Sequence, residues 1–197
     1  MDTRSRILMA ARDLFWEKGY NSTSVADILS RSQVNAGSLY HFFPSKQDVL
    51  VGVLTLYRDG IEEGLLQPAW EGVDDPIDRI FALLAHYRWR IVETDCLYGC
   101  PIGSLALELH EPDPIVRELM AANFANWTGA VEAQLTAAGA RLPADLDRRA
   151  LAEFIMTAME GGVMQARTHR DVAYFDRNIA MLRDHITMLM ERARAPA

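Results

Sequence analysis

Cysteine is scarce in this chain and long apolar runs are missing, and each lack removes a class of protein. Two cysteines, Cys96 and Cys100, stand among 197 residues. That is too few for a disulfide-stapled scaffold, and both are expected to be reduced thiols. No Cys or His pair lies near enough in sequence to complete a tetrahedral set with them, so neither a structural zinc nor any other metal is expected. No apolar run approaches the roughly 20 residues that a membrane-crossing helix needs. The opening residues, MDTRSRILMAARDLF, mix charged and apolar side chains at helical rather than signal-peptide spacing. A cytoplasmic location and no membrane partner are therefore expected. Catalytic spacing is also lacking. His86, Asp95, Glu108, His110 and the cysteines provide an enzyme on paper, but nothing assigns a nucleophile, a base and an orienting group. The expectation is no enzyme and no cofactor, with a helical enzyme as a remote alternative.

Half of the residues are hydrophobic, enough for a sizeable core. The net charge of −7 is unevenly spread. Residues 1–48 hold six basic and five acidic side chains, whereas residues 49–197 hold 14 and 22. A weakly positive head that includes Arg4 and Arg6 can touch phosphates, while an acidic body is repelled from a duplex.

The most informative stretch is Ser22–Lys46, STSVADILSRSQVNAGSLYHFFPSK. Val25, Ile28 and Leu29 share one helical face; Val34, Leu39 and Phe42 share another. Ser24 with Asp27 reads as a capping box, Asn35 as an N-cap, and Ser45 with Asp48 as a second box. The spacing predicts two short helices joined by a tight turn, followed by a capped third. The second short helix opens on Ala36, Gly37 and Ser38, whose small side chains permit close approach to base edges in a major groove. The helix N-termini suit phosphate oxygens, Lys46 adds charge at one of them, and Tyr40 and His41 supply further hydrogen-bonding groups nearby. His41 reads equally as a packed histidine near a helix end.

The runs GYNSTSVADIL (19–29) and VNAGSLYHFFPSK (34–46), with the amphipathic helix before them, resemble the N-terminal domain of the TetR family of transcriptional repressors. The resemblance implies an all-α protein: a small helix-turn-helix DNA-binding domain, placed at 1–48, on a larger helical ligand-binding and dimerisation domain, 49–197. Thr23 and Ser24 match the family's start of the second helix. Asn35, Ala36, Gly37, Ser38, Tyr40, His41 and Lys46 match its recognition-helix and phosphate-contact positions. Two residues depart from the pattern. Gln33 stands in the turn where Gly is common, so a left-handed residue there would carry a side chain. Ala36 stands where Lys is frequent, which bears on the operator bases.

Along the rest of the chain, Ile7, Ala11, Leu14 and Phe15 mark a first helix that Gly19 can end as a left-handed cap. The helix from Lys46 is expected to stop at Pro68. Asp75 and Pro76 open a helix through Glu93 whose apolar stripe includes Phe81 and is interrupted by Arg88, at the edge of an interior space or snorkelling to water. DCLYGCPIGSLALEL (95–109) resembles a motif in one branch of the same family, in which a Gly-Cys pair leads into a short helix beside the ligand pocket. Cys100 reads as a small buried hydrophobe or, alternatively, as a reactive sensor thiol. Asn123 interrupts the apolar stripe of the helix after Pro114, facing either a ligand or a partner inside the protein. An apolar pocket for a small organic effector is expected near Phe81, Arg88, Cys100, Leu105, Asn123, Trp127 and Met159.

The last two helices carry two apolar seams. One comprises Phe175, Ile179, Leu182, Ile186 and Leu189; the other comprises Leu151, Phe154, Ile155, Ala158 and Met159, beside Gly161 and Gly162. They form half of a four-helix homodimer interface or fill a single monomer's core. The expected function is a ligand-responsive homodimeric repressor of a palindromic double-stranded DNA operator, released by a small molecule. The alternative is a regulator that senses oxidants or electrophiles through Cys100.

Overall fold

The computed structural model describes residues 1–195, and among these the ordered elements are helices. They are α1 (Thr3–Lys18), α2 (Val25–Ser32), α3 (Ala36–Phe42), α4 (Lys46–Asp59), α5 (Gln67–Trp70), α6 (Pro76–Glu93), α7 (Pro101–Glu108), α8 (Pro114–Ala137), α9 (Arg148–His169) and α10 (Ala173–Arg194). The chain sorts into two compact units, Met1–Gly60 with Cys100–Phe124, and Ile61–Gly99 with the residues from Ala125 onward. All of α4 groups with the first unit, although the sequence placed a boundary after residue 48.

The first unit is organised by α1, whose buried face is Ile7, Leu8, Ala11, Leu14 and Phe15. Asp2 caps its start by accepting the Ser5 N–H at 2.8 Å. Gly19 ends it with φ 87° and ψ 162°, its N–H returning to Phe15 O. That backbone is extended rather than left-handed helical, and it is open essentially to glycine alone. Ile28 of α2, Leu39 of α3, and Val49, Leu50, Val53 and Leu54 of α4 complete the core. Ile102 and Leu105 of α7 and Leu119 and Met120 of α8 are buried in that same core. Burying each such aliphatic side chain contributes roughly 1.5–3 kcal/mol.

In the second unit the helical turn at Glu62–Leu66 is widened, with the Gln67 N–H reaching Glu62 O five residues back. Pro68 explains the widening, since it has no N–H to give and its ring crowds the turn behind it. Pro68 therefore sits inside α5 rather than stopping a helix, as the sequence had suggested. The core of this unit joins Ile80, Phe81 and Leu84 of α6, Trp127, Val131 and Leu135 of α8, and residues of α9 and α10.

The seams on α9 and α10 need correcting. Leu151, Ile155 and Met159 of α9 and Phe175, Leu182 and Ile186 of α10 are buried against each other within one chain. Gly162 permits this packing, because a Cβ there would lie 2.9 Å from the Phe175 ring, whereas one on Gly161 would meet nothing. The apolar residues left outside are Phe154 and Met164 on α9 and Met181 and Met188 on α10. Six of the ten seam residues are thus interior, whereas Phe154 of the same seam is exposed together with Met164, Met181 and Met188.

Candidate nucleic-acid interface

α2 and α3 form the expected reading element, and local caps set each start. Ser24 Oγ accepts the Asp27 N–H at 3.1 Å while Asp27 Oδ2 accepts the Ser24 N–H at 2.8 Å, which makes a complete capping box. Asp27 also pairs with Lys18 at 2.9 Å. Hydrogen bonds from the Ser24 and Lys18 side chains hold its carboxyl far below the usual carboxylate range. Asn35 Oδ1 accepts the Ser38 N–H at 2.8 Å and starts α3. Ser45 caps α4 by accepting the Asp48 N–H at 3.2 Å.

The turn between α2 and α3 is held in a strained form. Gln33 is left-handed, with φ 53° and ψ 42°, and its N–H bonds to Leu29 O. Arg6 grips this turn, its guanidinium donating to Ser32 O at 2.6 Å and Gln33 O at 3.0 Å. Arg6 therefore braces the turn from inside the fold. Arg4 lies over the Phe43 ring, 5.4 Å from its centroid.

Leu39 and Phe43 bury the rear of α3, and the other side stays open. Asn35, Ala36, Gly37, Tyr40 and His41 are exposed, and Ser38 is partly so. Ser24 is exposed as well, beside the start of α2. A Cβ on Gly37 would meet only Asn35 Oδ1, at 3.4 Å. His41 makes an edge contact with Phe42, at 5.0 Å between centroids.

Two of the nine residues expected at DNA also make bonds inside the fold. Thr23 is 1 % exposed, and its hydroxyl donates to Gly19 O at 2.7 Å, so it braces the turn instead of facing DNA. Lys46 Nζ donates to Tyr20 O and Thr23 O, both at 3.0 Å, and sits 4.1 Å from the centre of the Tyr20 ring. One of its three N–H groups remains beyond those two bonds. Sequence reasoning missed a further partner of this turn. Glu108, on α7, accepts the N–H of Tyr20 at 2.9 Å and that of Asn21 at 2.6 Å. With the partners 87 and 88 positions apart in the chain, no local spacing could signal it.

The seven residues expected around an effector are divided between the two units. Phe81, Trp127 and Met159 share the second unit's core, whereas Cys100 and Leu105 are buried in the first unit's core. Arg88 is exposed and makes a two-pronged pair with Asp176, at 2.7 and 3.0 Å. Asn123 gives its amide hydrogens to Leu54 O at 3.0 Å and Leu119 O at 2.8 Å, so its donors face protein carbonyls. Cys100 caps α7, its Sγ 3.5 Å from the Gly103 N–H. Trp127 Nε1 is buried, and no hydrogen-bond partner for it stands among the described residues. An open cleft of about 640 Å³ lies elsewhere, lined by Glu62, Glu63, Gln67, Pro68, Trp70, Glu71 and Arg79. It contains none of the seven.

An exposed, capped helix presented by a short turn and two supporting helices defines a helix-turn-helix DNA-binding protein. The family model for bacterial regulatory proteins of the tetR family matches residues 7–53. A second, for the C-terminal domain of LmrA/YxaF-like transcriptional regulators, matches residues 76–181, more than half of the chain. The chain belongs to the TetR family and is a DNA-binding transcriptional regulator, not an enzyme. It is 29% identical over 170 residues to YxaF of Bacillus subtilis (strain 168), an uncharacterized HTH-type transcriptional regulator, covering 86% of this chain and 87% of that one. The fold matches a regulatory protein TetR from Rhodobacter sphaeroides with a TM-score of 0.83 and 24% identity, covering 92% of this chain and 97% of that one. It also matches the TetR family regulator CifR, a cysteine mutant solved with 26-bp operator DNA, with a TM-score of 0.73 and 22% identity over 93% and 94% of the two chains.

Proposed function

We propose that the protein is a homodimeric repressor whose two α3 helices enter successive major grooves of a roughly palindromic operator and which a small organic effector releases. The observation that carries this reading is the open side of α3, where small residues stand free of the core while Leu39 and Phe43 anchor the helix behind them. Base edges need that combination of access and rigidity. A dimer places two such helices about 34 Å apart, one helical turn, or a multiple of it. CifR, bound to its operator, supports the DNA part of the reading. Trp127 Nε1, without a hydrogen-bond partner among the described residues, supports the effector part, since buried donors are rarely left unsatisfied and a ligand oxygen would serve. The effector lowers operator affinity by as much as its own affinities for the two states differ.

Fluorescence anisotropy with the DNA upstream of the protein's own gene tests the reading, followed by a metabolite screen for release. Gly37→Trp should abolish specific binding with fold and assembly intact, because a Cβ there would meet only the Asn35 side-chain oxygen, at 3.4 Å. Specific binding retained by a folded Gly37→Trp variant would show that another face reads the DNA. Cys100 favours a second reading. Its sulfur lies 3.5 Å from the Gly103 N–H at the start of α7, a position that holds the thiol in a defined geometry. Oxidant-driven release that Cys100→Ser abolishes, with no metabolite acting, would select it.

A further inference from the structure

We propose that Glu108 is a positioning residue for DNA reading, acting through the turn between α1 and α2. Among the described residues the turn from Gly19 to Thr23 has two internal bonds, from the Thr23 N–H to Tyr20 O at 3.1 Å and from the Thr23 hydroxyl to Gly19 O at 2.7 Å, and neither engages the N–H of Tyr20 or Asn21. Its groups are satisfied from two distant elements. On the amide side, the two carboxylate oxygens of Glu108, at the end of α7, take the N–H groups of Tyr20 and Asn21. On the carbonyl side, Lys46, at the start of α4, donates to Tyr20 O and Thr23 O. Tyr20 is thus held by both of its peptide groups, and its ring packs edge-on against Phe15, 5.3 Å between centroids.

Gly19 shows how closely the carboxylate fits. A Cβ there would lie 2.9 Å from Glu108 Oε2, so the glycine supplies both the required backbone and the space for the clamp. Ser24, which caps α2, immediately follows the clamped turn. The placement of α2, and through the Gln33 turn that of α3, thus depends on a carboxylate supplied by α7. Glu108 touches no base or phosphate in this role. Its negative charge would repel phosphate, so any loss of binding on its removal must come through the turn. The inference rests on the DNA-binding function alone and not on an effector.

Glu108→Gln provides the test, because it keeps the shape but sets an NH2 group against one of the two backbone N–H donors. Operator affinity should fall about tenfold, the scale of a charge-assisted hydrogen bond converted to binding. The slope of affinity against salt should stay unchanged, and so should the sedimentation behaviour, while the Tyr20 and Asn21 amides exchange faster. Glu108→Asp keeps the charge with one methylene less and should lose less affinity; it decides the matter if Glu108→Gln melts too low for measurement. In a double-mutant cycle, Glu108→Gln and Lys46→Met should be non-additive for operator binding, since both release the same turn. Unaltered affinity despite faster exchange at Tyr20 and Asn21 would overturn the proposal, as would additive losses or an altered salt slope.

Discussion

At the scale of single residues, several side chains that look suited to phosphate are occupied inside the fold, and this changes what substitution should do. Lys46 is the clearest case. With two N–H groups on carbonyls and its charge over the Tyr20 ring, it acts first as a brace. Lys46→Met should weaken operator binding by a similar factor at low and high salt, with the salt slope falling by clearly less than one phosphate contact. Anisotropy titrations between 50 and 300 mM salt measure it, and a drop of a full contact would restore Lys46 to the phosphate set. Gln33 offers a second test. Its left-handed backbone is unfavourable by about 1–2 kcal/mol for a residue with a Cβ, part of which glycine gives back as unfolded-chain entropy. Gln33→Gly should leave the Arg6 contacts in place and raise the first unit's stability by up to about 1 kcal/mol, read as a higher melting temperature.

At the scale of elements, the capped start of α2 makes stability depend on pH. Asp27 is a stronger acid in the folded chain than in the unfolded one. Its contribution to stability is therefore present above its unfolded value near pH 4 and is lost as pH falls through the folded value. Melting temperatures measured from pH 5 down to pH 2 should fall less steeply for Asp27→Asn than for the parent chain; identical slopes would show that the box carries no linkage. These caps were legible in the sequence because they need only three-residue spacing, and so was the turn chemistry around Gln33. The fold class and α1 through α4 were legible for the same reason, since their apolar faces repeat at helical period, although on α3 the expected Phe42 is exposed and Phe43 takes its place in the core. Glu108, Arg6 and the grouping of α7 with the first unit were not, because each depends on contacts made across 26 or more residues. Asn123 was visible as a polar interruption, but only the fold reveals that Leu54 O and Leu119 O receive its amide. Pro68 misled because a widened turn can absorb a missing N–H, and no local pattern announces that.

At the scale of the whole molecule, the decisive question is which face of α9 and α10 meets a second copy. The apolar seams legible in the sequence could not separate interior from interface, since both demand the same helical spacing. The structure assigns Leu182 and Ile186 to the interior, 2 % and 1 % exposed, and leaves Phe154 52 % and Met181 68 % exposed. Charge at the two kinds of position should therefore have opposite consequences. Ile186→Glu buries an unpaired carboxylate in the second unit's core and should lower the melting temperature sharply, with loss of folded protein. Phe154→Glu and Met181→Glu place charge on an exposed face, so each chain should keep its helical content and melt near the parent value. If that face is the dimer interface, sedimentation should show both variants as folded monomers, and operator affinity should collapse because one chain presents one α3. A dimer preserved in both variants would move the interface away from α9 and α10.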